Sequence, residues 1–167
     1  MKVFRLTSLF IVMLILAITM QCKERKANEN NDSNEIENLS SDLAKDTSML
    51  ALSADLLIKN GQYHEASMEY SKLIKIDSSN GKFLFRKGYC LTQIDSPFQA
   101  LKYYIKAAES KFHEAECYYV IGTIHGIEGR DSLAIVYLEK ALALEPGMEK
   151  AKSFLSTVRQ WSQDTSL

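Results

Sequence analysis

The sequence predicts an all-α protein, a solenoid of three helix-turn-helix repeats followed by one C-terminal helix that shields the last repeat from solvent. Three observations lead to this prediction. From residue 47 onward, the chain aligns with itself after a shift of 34 residues, without a gap. Within each copy, apolar residues recur at spacings of three and four, which is typical of helices that pack along one side. No stretch of residues 47–162 alternates apolar and polar residues with the period of a strand.

The composition restricts the class of protein before any motif is considered. A chain of 167 residues accommodates one domain with a short additional segment. Its 46% apolar and 25% charged residues are typical of a globular protein. Twenty basic and 21 acidic residues give a net charge of −1, so there is no general electrostatic reason to bind nucleic acid. Three cysteines are too few for a disulfide scaffold.

Residues 1–22 form a targeting segment, with Lys2 and Arg5 placed before an apolar run. The run is as long as the core of a long signal peptide and shorter than a membrane span, which takes about 20 residues. Cys22 follows it directly, and the segment resembles a bacterial lipoprotein signal. The resemblance implies that Cys22 is acylated and becomes the first mature residue. A retained membrane anchor and a cleaved soluble protein are the alternatives, and all three place the rest of the chain outside the cytoplasm.

Residues 23–46 form a polar segment, which we interpret as a flexible tether between the membrane and the repeats. The segment contains five asparagines, seven acidic residues and four basic residues, and it has no aromatic residue. Such a composition buries too little apolar surface to offset the entropy lost on ordering. Ile36, Leu39 and Leu43 lie at helical spacing, so a short helix that docks on the repeats is the alternative.

The three repeats span residues 47–80, 81–114 and 115–148, and each is predicted to contain two helices. Small residues fall in register on both helices, although glycine in a helix interior costs about 1 kcal/mol relative to alanine. We expect them where the paired helices cross, because axes about 8–10 Å apart leave no room for a large side chain. They are Ala54, Gly88 and Gly122 on the first helices, and Ala66, Ala100 and Ala134 on the second helices.

Residues 149–162 are predicted to form the C-terminal capping helix. We expect Leu155 and Ser156 to pack against the third repeat, because they occupy the positions that pack in a first helix. Trp161 is expected to seal this end of the stack. An array of repeats needs such a helix to cover its last apolar face.

The 34-residue register resembles that of the tetratricopeptide repeat family over residues 47–148. The third copy is nearest to the family pattern, through Tyr118, Ile121, Gly122, Ala134, Leu138, Ala141 and Pro146. The resemblance implies a right-handed solenoid whose concave groove is lined by the first helices and binds a protein or peptide. The implied lining consists of Ala51, Asp55, Lys59, Lys82, Phe85, Arg86, Tyr89, Tyr119 and Thr123, with Ile58, Gln93, Glu116 and Ile127 beside them.

Within this groove, Phe85, Tyr89 and Tyr119 are the candidate anchors of a partner, because aromatic residues often carry the binding energy of protein interfaces. The alternative is that these rings pack inside the protein. Lys82 and Arg86 are expected to attract acidic residues of the partner. A receptor for the terminal carboxylate of a chaperone is disfavoured, since Asp55 would repel such a group.

The sequence shows no motif for catalysis, a cofactor or a metal. It has no glycine-rich phosphate loop, no paired-cysteine metal site, and no nucleophile with an identifiable base. Cys90 and Cys117 are expected to be buried free thiols. We predict a non-enzymatic scaffold of the bacterial cell envelope, without a small-molecule substrate, that binds a protein or peptide while tethered to a membrane. The alternative is a structural or pilot-like assembly subunit of an outer-membrane or secretion complex.

Overall fold

The computed structural model of the chain describes residues 41–164. The chain divides into two units, residues 1–47 and residues 48–167. In the first unit, the described residues are helical, and the Thr47 hydroxyl donates a hydrogen bond to the carbonyl oxygen of Leu43. Residues 41–46, which the composition assigns to the flexible tether, are helical, and Leu43 of the alternative short helix lies among them. The signal segment with Cys22, and the rest of the tether with Ile36 and Leu39, lie outside the described residues.

Seven helices and no strand make up the described part of the chain. Helix α1 is described from residue 41 and ends at residue 59. The next six are α2 (Tyr63–Ile76), α3 (Gly81–Gln93), α4 (Pro97–Glu109), α5 (Glu114–Ile127), α6 (Asp131–Leu144) and α7 (Glu149–Asp164). Helices α1 to α6 pair into the three predicted repeats, and α7 is the capping helix. The all-α repeat fold predicted from the sequence is confirmed.

The core runs through the second unit as a series of apolar clusters. From α2 onward, each helix packs against the next one along the chain. One cluster surrounds Tyr70 and Phe83, a second surrounds Tyr104 and Ile121, and a third surrounds Leu138 and Val158. The first two clusters each combine residues of two successive hairpins, and the third combines the third hairpin with α7. A single hairpin cannot bury its apolar face alone.

The small residues of the register are buried, and both glycines lie in close contact with the second helix of their own repeat. Ala54, Ala66, Ala100 and Ala134 are all fully buried. A β-carbon built on Gly122 would lie 2.8 Å from Cγ of Leu138 and 3.2 Å from the carbonyl oxygen of Ala134, both on α6. Gly88 likewise lies close to the second helix of its own repeat, because a β-carbon built on it would lie 3.1 Å from the ring of Tyr104.

The turn between the two helices of each repeat has the same backbone geometry in all three copies. Gly61, Asp95 and Gly129 occupy equivalent positions with φ angles of 74°, 55° and 71°. The next amide in each turn donates to a carbonyl five residues earlier, as in the 2.9 Å bond from Gln62 to Leu57. This is the Schellman arrangement that ends a helix, and it requires a residue in the left-handed conformation. Asp95 supplies that conformation where the other two copies use glycine.

Helix α7 covers the third repeat with a different set of side chains from the one predicted. Leu155 is buried as expected, but Ser156 is exposed, and Val158 packs in its place. A β-carbon on Gly126 would lie 2.8 Å from the Phe154 ring, so this second glycine of α5 gives α7 room to approach. Trp161 lies edge-on to Phe154, with 6.0 Å between the ring centroids, and remains 41% exposed.

Candidate partner-binding groove

A groove of about 480 Å³ lies between α3 and α5, which are the first helices of the second and third repeats. Phe85 and Tyr89 line it from α3, and Tyr119 and Thr123 line it from α5. The structure thus brings four of the residues predicted from the sequence to one surface. Gln93, Glu116 and Ile127, which were expected beside them, line the same groove.

Five residues of the predicted groove do not line this surface. Ala51 is half-buried against the cluster around Tyr70, and Lys59 is exposed near the end of α1. Asp55, Lys82 and Arg86 form an ion-paired group between α1 and α3. The nine residues predicted from the sequence are therefore divided between this groove and the neighbouring surface of α1 and α3.

Asp55 is the centre of a small polar cluster that joins the first two repeats. Its carboxylate lies 3.3 Å from Nζ of Lys82 and 3.3 Å from Nε of Arg86, and it accepts a 2.5 Å hydrogen bond from the buried Tyr70 hydroxyl. Partial burial raises the pKa of Asp55, but the Tyr70 hydrogen bond and the two positive charges outweigh this effect, so the pKa lies below its usual value. Burial and the same hydrogen bond raise the pKa of Tyr70.

This cluster changes the expected charge of the binding site. Lys82 and Arg86 were predicted to attract acidic residues of a partner from within the groove. The structure directs both cations toward Asp55, and neither of them lines the groove between α3 and α5. Asp55 therefore compensates part of their charge. The sequence alone gave no indication that Asp55 lies against α3.

The groove aromatics contact other rings as well as the open surface. Phe85 packs edge-on against the buried Tyr104, with 5.5 Å between centroids, so this ring also belongs to the core. Tyr89 packs edge-on against Tyr63 at 6.0 Å, and burial together with that neighbour raises the pKa of Tyr89. The Lys150 ammonium lies 4.6 Å from the ring centroid of Tyr119. Internal packing, the alternative expectation for these rings, therefore applies to Phe85, and its role as an anchor stays a prediction.

Acidic side chains supply all the charged groups that line the groove. They are Asp95, Glu116 and Glu128, and no lysine or arginine lies in the lining. Sequence reasoning did not select Asp95 and Glu128, because both lie in turns after the first helices. The 34-residue register did indicate that Asp95 is unusual, because it occupies the position that glycine occupies in the other two copies.

The described residues hold no group of histidine, cysteine, aspartate and glutamate side chains that could bind a metal ion. Cys90 and Cys117 are buried free thiols, as predicted. Burial raises the pKa of Cys90 to about 11 and that of Cys117 to about 12, so neither provides a reactive thiolate at neutral pH. No helix within residues 41–164 is long and apolar enough to cross a membrane.

Comparison with known families supports the repeats found in the sequence. The family model of the tetratricopeptide repeat matches residues 47–80 and 115–147, which are the first and third repeats. The second repeat lies between them and has the same turn geometry. The first and third repeats are therefore confirmed as tetratricopeptide repeats. No curated protein matches the sequence.

Several solved structures have a similar fold. The Yersinia enterocolitica type III secretion chaperone SycD, in complex with a peptide of the translocator YopD, is 17% identical with a TM-score of 0.65, over 69% of this chain and 93% of that one. The second tetratricopeptide repeat domain of human RPAP3, in complex with an HSP70 peptide, is 23% identical with a TM-score of 0.61, over 68% and 98%. The Arabidopsis OM64 domain is 21% identical with a TM-score of 0.64, over 70% and 96%.

Proposed function

We propose that this chain is a non-enzymatic scaffold that binds a protein or peptide in the groove between α3 and α5. The observation that carries the proposal is the convergence of Phe85, Tyr89, Tyr119 and Thr123 on one open surface. A concave site with apolar walls and a few polar groups is the usual form of a ligand site. The peptide complexes of SycD and RPAP3 support the proposal, because both have a similar fold.

The experiment compares capture of the partner by the tagged wild-type chain and by a variant of the groove. Wild-type protein is isolated from membranes with its bound proteins, and these are identified by mass spectrometry. The double variant Tyr89→Ala, Tyr119→Ala removes two aromatic walls of the groove. We expect each truncation to cost about 1–3 kcal/mol of binding, so the double variant should lose the partner.

Tyr103→Ala provides the matched control, because it is the same chemical change outside the groove. Tyr103 is a half-buried tyrosine on α4 that contacts the ammonium groups of Lys87 and Lys102. This variant should retain the partner. Full retention of the partner by the groove variant would contradict the proposal.

A second candidate function is supported by apolar residues on the second helices. Leu133 and Val136 on α6 are 45% and 46% exposed, and Ile105 on α4 is 37% exposed. These side chains suit a structural or pilot-like assembly subunit that packs its outer helices against a larger complex. In that case capture of the partner would depend on Val136→Lys and would not respond to the groove variant.

We further propose that residues 1–22 direct the chain to the cell envelope and that Cys22 carries a lipid anchor there. The support is the order of basic residues, apolar run and cysteine in the sequence. Several acyl chains anchor a protein firmly, because each buried CH₂ contributes about 0.8 kcal/mol. Cys22→Ser should change the mature mass and release the chain from the membrane fraction. An unchanged mass and unchanged membrane association would exclude the lipid anchor and favour a retained N-terminal segment.

A further inference from the structure

The charge of the groove is concentrated at one end of its two helices. Asp95 lies in the turn after α3, and Glu128 directly follows α5. Both are exposed, and neither forms a salt bridge with another described residue. Glu116, nearer the start of α5, differs because it is already paired with Lys150 at 2.6 Å.

The backbone adds to the negative potential at this end. Both α3 and α5 end here, and the C-terminus of a helix carries a partial negative charge from its unpaired carbonyl groups. Thr92 and Gln93 of the last turn of α3, and Ile124 and Ile127 of the last turn of α5, line the groove. Two helix ends and two acidic side chains therefore border the same recess.

The nearby cations do not neutralise this end. Arg130 follows Glu128 in sequence, but its guanidinium lies over the ring of Phe98, 5.3 Å from the centroid, and it does not line the groove. Lys82 and Arg86 on α3 are paired with Asp55. The acidic end is left without an intramolecular cation among the described residues.

Apolar walls lie directly beside the acidic groups. Val120 and Ile124 form part of the lining, and Ile127 is 70% exposed where it borders the groove. A lysine or arginine suits this combination, because its methylene stem covers apolar surface while its charged head reaches a carboxylate. An acidic peptide is repelled by the same groups.

We propose, building on the function proposed above, that the groove between α3 and α5 binds a peptide segment that carries an apolar anchor and an adjacent lysine or arginine. The apolar anchor packs against Tyr89 and Tyr119. The basic side chain lies along Ile127 and pairs with Asp95 and Glu128. Complementary charge of this kind sets the choice of partner and the rate of association more than the final affinity.

The test is a selection from a random peptide display library on the full-length chain. On the wild type, we expect the enriched peptides to contain apolar residues together with lysine or arginine. The variant Asp95→Asn, Glu128→Gln keeps the size of both side chains, and asparagine is well tolerated at the positive φ of Asp95. This variant should still enrich apolar residues but lose the preference for basic ones.

A matched control separates local charge from overall charge. Glu109→Gln combined with Glu145→Gln changes the net charge by the same amount at exposed positions outside the groove. Peptides selected on this control should remain basic. For one selected peptide, lysine-to-glutamine replacement should weaken binding to the wild type about two- to five-fold at low salt, and the loss should shrink as salt is added.

The outcomes distinguish the two proposals. Enrichment of acidic or uncharged peptides would overturn the basic-partner proposal and leave the groove as a binding site. The same would follow if the Asp95→Asn, Glu128→Gln variant kept the basic preference. Equal enrichment on the wild type and on the Tyr89→Ala, Tyr119→Ala variant, or no enrichment at all, would instead refute the groove as the binding site.

Discussion

Gly122 tests the helix packing directly, because two effects of opposite sign act on one substitution. Replacement by alanine improves the intrinsic helix propensity of α5 by about 1 kcal/mol. The new β-carbon would lie 2.8 Å from Cγ of Leu138 and 3.2 Å from the carbonyl oxygen of Ala134. Carbon atoms in contact normally lie about 3.5–4.0 Å apart. Leu138 is fully buried, and the contact involves Cγ, which cannot move away as easily as the end of a flexible side chain.

The overpacking outweighs the propensity. Inserting a methyl group into a close-packed core costs about 1–3 kcal/mol. Subtracting the propensity gain leaves a net destabilisation of up to about 2 kcal/mol for Gly122→Ala. In a domain of this size, each kcal/mol lowers the melting temperature by about 4 °C. Gly122→Leu should be destabilised further, since it places more atoms in the same crossing.

The assay is urea unfolding of the full chain, followed by circular dichroism, in a double-mutant cycle with Leu138→Ala. Removing Cγ of Leu138 removes the nearest clashing atom, so Gly122→Ala should become neutral or stabilising in that background. The coupling energy between the two sites should fall in the range of about 0.5–3 kcal/mol that contacting residues show. Gly147→Ala is the control, because no atom beyond the two neighbouring residues lies within 4 Å of the added β-carbon.

A gain in stability for Gly122→Ala in the wild-type background would refute this reasoning. It would mean that α5 and α6 do not approach each other at Gly122. A loss of equal size in both backgrounds would also contradict it, because the cost would then not arise from Leu138.

Two further predictions concern polar residues. Asp95→Gly should raise the free energy of unfolding by up to about 1 kcal/mol, because glycine adopts the positive φ at this turn without strain; a lower thermal midpoint would contradict this. Asp55→Ala should cost about 1–3 kcal/mol at neutral pH, since it leaves the buried Tyr70 hydroxyl without its acceptor. The pKa of Asp55 is lowered on folding, so the wild type should lose part of this stabilisation as the pH falls from the unfolded value of 3.8 through the folded pKa. The two stability curves should therefore converge in acid, and a constant separation in urea unfolding would disprove the pairing.

The features predictable from the sequence were those that repeat. The 34-residue register located the close crossings at Gly88 and Gly122 and placed Tyr89 and Tyr119 on equivalent faces of neighbouring first helices. The register indicates these positions because each repeat packs its helices against its neighbours in the same way. The capping helix was also predictable, since an open apolar face has to be covered.

Features that occur in only one repeat were not predictable. The pairing of Asp55 with Lys82 and Arg86 depends on the relative position of the first two hairpins. The spacing of residues within one repeat does not indicate that position. Gly126 provides room for Phe154 of α7, but it has no counterpart in the other copies that would reveal its role. Residues 41–46 are helical although the segment around them is strongly polar. The composition of the whole segment did not indicate this short helical stretch, and only the helical spacing that includes Leu43 did.

Site-specific photocrosslinking in living cells tests most directly whether the groove between α3 and α5 is the binding surface. A photoreactive amino acid replaces Ile127, which is 70% exposed at the groove, or Val136, which is 46% exposed on the outer helix α6. After irradiation, the crosslinked products are separated by mass and identified. We predict a discrete crosslinked partner from position 127 and none from position 136. The same partner crosslinked from position 136 and absent from position 127 would contradict the account and transfer the binding function to the outer helices.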